Sequence, residues 1–108
     1  MYKICFFVPA THLELVKQAL FNQGAGKIGD YDGCAWQTLG EGQFRPLQGS
    51  APFIGEVDNI TTLAEYKVEM VCADGLIKQA VQALLLAHPY QEPAYEVYKI
   101  LMLDDLGG

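Results

Sequence analysis

The chain predicts an α+β fold, a ferredoxin-like βαββαβ sandwich with two helices on one face of an antiparallel sheet. Three observations lead there. Two strand-like stretches, Tyr2–Val8 and Glu65–Ala73, are each followed within a few residues by an amphipathic helix pattern. A shorter strand pattern follows each helix, at Cys34–Leu39 and Tyr95–Leu101. Two such split units with right-handed crossovers make one four-stranded sheet covered on one side.

The elements follow in order. In Tyr2–Val8, Tyr2, Ile4, Phe6 and Val8 share one face while Cys5 and Phe7 share the other, so both faces are apolar and the strand is central. Pro9 ends it, because proline cannot donate to a sheet ladder. Thr11 and Glu14 have the spacing of a capping box ahead of a helix at His12–Gln23. Leu13, Val16 and Leu20 form its apolar stripe, and Gly24 suits the left-handed residue that closes it. Gly40–Glu41–Gly42 then reads as a tight turn returning the chain through Gln43–Arg45 as a hairpin. Pro46–Gly55 is irregular, and Asn59–Leu63 is ambiguous between turn and strand.

Glu65–Ala73 alternates Tyr66, Val68, Met70 and Cys72 against Glu65, Lys67 and Glu69, giving one buried and one wet face. Asp74 is positioned to cap a helix at Leu76–Ala87, with Ile77, Ala80, Val81, Leu84 and Leu85 inward. Pro89 stops that helix. The last strand runs Tyr95–Leu101, and the glycyl tail from Asp104 is expected to fray. Residues 1–108 thus form one domain, with its core at about 2–101 and a frayed stretch over 102–108. The uncovered sheet face would carry Phe7, Trp36 and Tyr98, an aromatic area that calls for a partner. Self-association through that face or the strand edges is expected.

Bulk properties narrow the function. At 108 residues the chain has room for one core. A composition of 51% hydrophobic and 19% charged residues is that of a globular protein. The net charge of −6 excludes the basic face of a nucleic-acid binder and disfavours anionic membrane. No apolar run is long enough to span a bilayer. Ile4–Ala10 is too short and too interrupted by Pro9 for a signal segment, so it reads as a first strand. Cys5, Cys34 and Cys72 stand singly, which suits a reducing cytoplasm.

Unusual residues cluster in two places. Gly24–Gly55 holds eight glycines and two prolines in 32 residues, with Tyr31, Trp36, Phe44, Arg45 and Phe53 among them. Gly24, Gly26 and Gly29 fit the spacing of a dinucleotide fingerprint. They follow a helix instead of joining a strand to one, so that reading fails. Turns about Gly24, Gly26 and Gly49 still offer amides to an anion, with Arg45 and Lys27 as nearby cations. Ser50 is the only serine, set as a turn hydroxyl. The second cluster is His88–Tyr95, where two prolines stiffen a turn carrying His88, Tyr90, Glu92 and Tyr95. His88 and Glu92 are acceptable ligands for a divalent metal, and the same turn reads equally as a rigid lead-in to the last strand. No cofactor is indicated beyond that metal, and no catalytic residue is assigned. An enzyme using Cys34, His88 and Glu92 is the alternative to a binding module.

Four motifs occur in order: GAGKIGDYDGCAW, GEGQFRPLQGSAPFIG, KVEMVCADGLIKQAV and AHPYQEPAYEVY. Together they resemble the domain inserted in bacterial YqfO proteins of the Nif-three-like (NGG-one-interacting-factor-like) family, across Tyr2 to about Leu101. The resemblance implies a PII/CutA-like domain that is ferredoxin-like and prone to trimerise. It reads as a free-standing version of the insert. The family's two-metal site lies in flanking domains rich in histidines and acids, and with His12 and His88 alone this chain cannot carry it over. The expectation is a homo-oligomeric binding or regulatory module, trimer favoured, admitting a small ligand at subunit boundaries. Its site would draw on Gly24, Gly26, Tyr31, Trp36, Arg45, Gly49, Ser50, His88, Tyr90, Glu92 and Tyr95.

Overall fold

A computed structural model describes residues 1–108. β1 (Tyr2–Val8) leads through a 3-10 turn at Ala10–His12 into α1 (Leu13–Phe21). β2 (Trp36–Phe44) and β3 (Thr61–Cys72) follow, then a 3-10 turn at Asp74–Leu76, α2 (Ile77–Ala87) and β4 (Tyr95–Lys99). One antiparallel four-stranded sheet results, in the order β2-β3-β1-β4. This is the ferredoxin-like arrangement expected from two split β-α-β units.

The two faces of the sheet divide as the alternation requires. Ile4 pairs with Met70 and Phe6 with Val68, and all four side chains are buried. They meet Val16 and Leu20 of α1 and Ala80 and Leu84 of α2 in one core. On the opposite face the register aligns Trp36 with Glu69 and Tyr98 with Lys3, alongside Phe7. No helix covers that side: Trp36 is 68% exposed and Tyr98 50%.

Several local expectations are corrected. Gly40–Glu41–Gly42 is not a turn; β2 runs unbroken from Trp36 to Phe44, with Gly40 opposite Glu65 and Gly42 opposite Leu63. Neither glycine has positive φ, so the ladder passes straight through them. The reason is long-range: β3 is 12 residues long and offers β2 a partner along its whole length. The ambiguous 59–63 stretch accordingly enters the sheet from Thr61. The capping box does not form. Thr11 Oγ1 lies 2.9 Å from His12 Nδ1, and Glu14 accepts from Lys17 at 3.2 Å, so both side chains are diverted from the helix amides. Asp74 likewise accepts from the N-terminal amine instead of capping α2, because the charged chain end of β1 lies beside it. Leu85 turns outward, since it lies about 100° around the helix from the buried Leu84. β4 stops at Lys99, and a single 3-10 turn at Leu103–Asp105 follows, tied by the Met102 amide donating to Asp105 Oδ2.

β1 reaches only as far as the Val8–Tyr66 pair, so residues 61–65 of β3 and 40–44 of β2 project as a two-stranded arm. The arm stretches the molecule to 52 × 29 × 24 Å. Its radius of gyration of 15.4 Å exceeds the roughly 13 Å of a compact chain this size.

Candidate functional site, a cleft under the two-stranded arm

The arm, the 45–60 loop and the turn after α2 enclose a cleft of about 370 Å³. Phe44 and Arg45 enter it from the end of β2, Glu65 from β3, and Phe7 from the end of β1. The loop adds Leu47, Ser50 and Phe53, and the turn adds Tyr90, Gln91 and Glu92. That size falls within the range of small-molecule sites, which are mostly apolar with a few directed polar groups.

The loop is held by its own hydrogen bonds. Ser50 donates from its amide and its hydroxyl to the Leu47 carbonyl, at 3.0 and 2.7 Å, which makes it the turn hydroxyl expected. The Ala51 amide donates to Gln91 Oε1 at 3.0 Å, joining the loop to the turn across the cleft. Phe53 stands edge-on to the His12 ring at 5.5 Å and lies 6.3 Å from the Tyr90 ring. Phe44 lies 6.1 Å from Tyr90 on the other side. These are ordinary aromatic-pair separations, and Tyr90 is their hub.

His88 builds the turn. It is buried at the C-terminal end of α2. The Tyr90 amide donates to its Nδ1 at 3.1 Å, so that nitrogen carries no proton. The proton sits on Nε2, which donates to the Phe7 carbonyl at 2.7 Å. Burial holds the imidazole below its ordinary pKa, in keeping with this neutral tautomer. Both ring nitrogens are engaged within the chain, so a metal would have to displace one of these bonds.

Tyr90 hydroxyl donates to Glu65 Oε2 at 2.9 Å. Burial, then the Glu65 carboxylate, pushes the phenol well above its usual range, and it stays protonated as a donor. Glu65 Oε1 lies over Gly42: a Cβ at that position would fall 1.8 Å from it. Gly42 therefore gives the Glu65 side chain room to lie across the arm.

Arg45, Ser50, Tyr90 and Glu92, four of the residues singled out in the sequence, meet at this cleft, with His88 behind the turn and Gly49 in the loop. The others lie elsewhere. Gly24 closes α1, and Gly26 donates its amide to the Val71 carbonyl at 2.8 Å. Tyr31 sits in a small Ile28–Tyr31 bridge, exposed. Trp36 lies on the open sheet face, its indole donating to Thr38 Oγ1 at 3.0 Å. Tyr95 is on edge strand β4, on the helix side. Cys34 precedes β2, whereas the cleft is at the far end of that strand, roughly 27 Å away at the rise of a strand. No three His, Cys, Asp or Glu side chains are grouped to hold a metal ion. Glu65 and Phe7 were missed as site residues because each reads from the sequence as one more alternating strand residue.

No protein-family model matches the chain. Among curated proteins it is 40% identical over 100 residues to a GTP cyclohydrolase 1 type 2 homolog of Halalkalibacterium halodurans, covering 93% of this chain and 27% of that protein. It is 43% identical over 101 residues to the protein of the same name from Listeria monocytogenes, again covering 93% of this chain and 27% of that one. The chain thus spans about a quarter of the length of the curated relatives it matches. Among solved structures, a Bacillus cereus protein related to NIF3 superposes with a TM-score of 0.77 at 36% identity, over 90% of this chain and 24% of that one. CutA from Xylella fastidiosa gives a TM-score of 0.68 at 19% identity, over 96% of this chain and 88% of that one. GlnK of B. subtilis gives 0.59 at 14%, over 92% and 83%. The last two speak for the fold alone. Over most of its length the chain thus matches one segment of proteins of the Nif-three-like (YqfO) family, and its fold is the one seen in CutA and GlnK.

Proposed function

We propose that this domain is a self-associating binding module of regulatory type, working in the cytoplasm and taking a small ligand in the cleft under its two-stranded arm. The observation that carries the reading is the cleft itself. Four aromatic side chains line a space of about 370 Å³, the Tyr90 phenol among them hydrogen-bonded to the half-buried Glu65 carboxylate, and a 108-residue core does not need that space for stability. Self-association is supported by the uncovered sheet face, where Phe7, Trp36 and Tyr98 share a side with no helix over them. Three copies is the assembly the family resemblance implies. The cytoplasm is supported by three free cysteines, two of them buried.

The test is a thermal-shift panel of nucleotides, metal ions and metabolites on the whole chain. A ligand specific for the folded state raises the melting temperature by mass action, by about 2.7 kcal/mol of added stability at a hundredfold excess over Kd. The expected result is at least one such ligand, whose effect disappears in Phe53→Ala. A panel without a hit favours a purely structural interaction protein and sinks the binding reading.

A further inference from the structure

The sign of the charge inside the cleft identifies the class of ligand. Three charged residues line it: Glu65, Glu92 and Arg45. Arg45 and Glu92 are exposed at its rim, where water and salt screen them. Glu65 is half-buried, among Phe7, Phe44 and Tyr90, so its carboxylate dominates the field felt by a bound molecule. Its Oε2 is taken by the Tyr90 hydroxyl, while Oε1 lies toward Gly42 and makes no hydrogen bond within the chain. A carboxylate accepts more than one hydrogen bond, so one acceptor remains for a ligand. The rings of Phe44, Phe53 and Tyr90 line the same cleft, and their negative π faces attract cations. The chain as a whole carries a net charge of −6, which draws the same kind of molecule.

We propose that the cleft takes a small organic cation, an amine or quaternary ammonium group held against Phe44, Phe53 and Tyr90 with the Glu65 carboxylate as its counter-charge. This rests on the reading of the cleft as a ligand site and adds the ligand's charge and shape.

The experiment compares choline with 3,3-dimethyl-1-butanol, its neutral isostere, and with benzoate, an aromatic anion. Binding is followed by amide NMR shifts of Ala51, in the loop and bonded to Gln91, and of Tyr90, in the turn. Choline is expected to move both amides and to bind at least about tenfold more tightly than the neutral isostere. Two variants locate the charge. Glu65→Gln keeps an acceptor for Tyr90 and removes the charge, and should weaken choline about tenfold while leaving the isostere unchanged. Gly42→Ala keeps the charge but displaces the carboxylate, and should have the same selective effect. Equal or tighter binding of the isostere or of benzoate overturns the cation assignment while leaving the cleft a binding site. If none of the three probes moves the two amides, the cation assignment also falls, and the binding reading then depends on the thermal-shift panel alone.

Discussion

His88 shows how one side chain fixes the cleft. Only 6% exposed, it joins the Phe7 carbonyl at the end of β1 to the Tyr90 amide in the turn after α2. Protonation would put a second proton on Nδ1 and set it against the Tyr90 N–H. Burial opposes the charged form as well, so the folded-state pKa lies below the ordinary 6.5. The unfolded chain therefore takes up the proton first as the pH falls. The stability tied to this residue is fully present above about pH 6.5 and is lost as the pH drops toward the lowered folded value. Denaturant melts between pH 7.5 and 5 should show that loss. His88→Phe should flatten this part of the profile and lower stability at pH 7.5 by about 1–3 kcal/mol, since it strands a carbonyl and an amide. A pH slope unchanged in the variant would assign the effect to other groups.

At the scale of elements, the glycine-rich connection between α1 and β2 is a fixed structure. Gly26 has a φ of +77°, its amide bonds the Val71 carbonyl, and its own carbonyl accepts from the Cys34 amide at 2.8 Å. A Cβ there would stand 2.8 Å from the Cys34 carbonyl oxygen and from the Phe21 ring. The carbonyl belongs to the backbone and cannot swing aside. Gly26→Ala should thus cost about 2 kcal/mol or more, through the left-handed φ and the contact together. Gly33→Ala, also at positive φ but with open space around it, should cost less. Urea midpoints of the two variants check the order; a larger loss at Gly33 would contradict the packing argument. Gly42 illustrates the opposite use of the residue. Its backbone is ordinary strand, and what it supplies is room for the Glu65 side chain.

For the whole molecule, the main imbalance is between the two faces of the sheet. One is sealed by α1 and α2 over Ile4, Phe6, Val68 and Met70. The other presents Trp36 and Tyr98 beside Lys3, Lys67, Glu65, Glu69 and Glu96. Lys3 and Glu69 already pair at 2.6 Å, and that contact holds the Glu69 carboxyl below its usual range. A surface with aromatics amid charges of both signs matches a second copy of itself more readily than it matches a strongly charged polymer. Native mass spectrometry at micromolar concentration should find oligomers, and Trp36→Glu should shift them toward monomer with the fold intact by circular dichroism. A wild-type chain that is monomeric at that concentration would remove self-association from the proposed function.

The sequence by itself determined what depends on neighbours along the chain. Period-two alternation placed β1 and β3, and period-3.6 stripes placed Val16, Leu20, Ala80 and Leu84 in the core. It also picked out Arg45, Ser50, Tyr90 and Glu92, because an only arginine, an only serine and a proline-bracketed turn are visible without a fold. The tertiary structure alone decided what depends on distant partners. Pairing with β3 turned an apparent Gly-Glu-Gly hairpin into one long strand. It carried Phe44 and Arg45 out along an arm, where they meet Tyr90 from the other end of the chain. It also set Glu65 under the Tyr90 hydroxyl, 25 residues away. Local periodicity reports which face a residue occupies; which other segment that face meets is set by strand register and by packing across the chain.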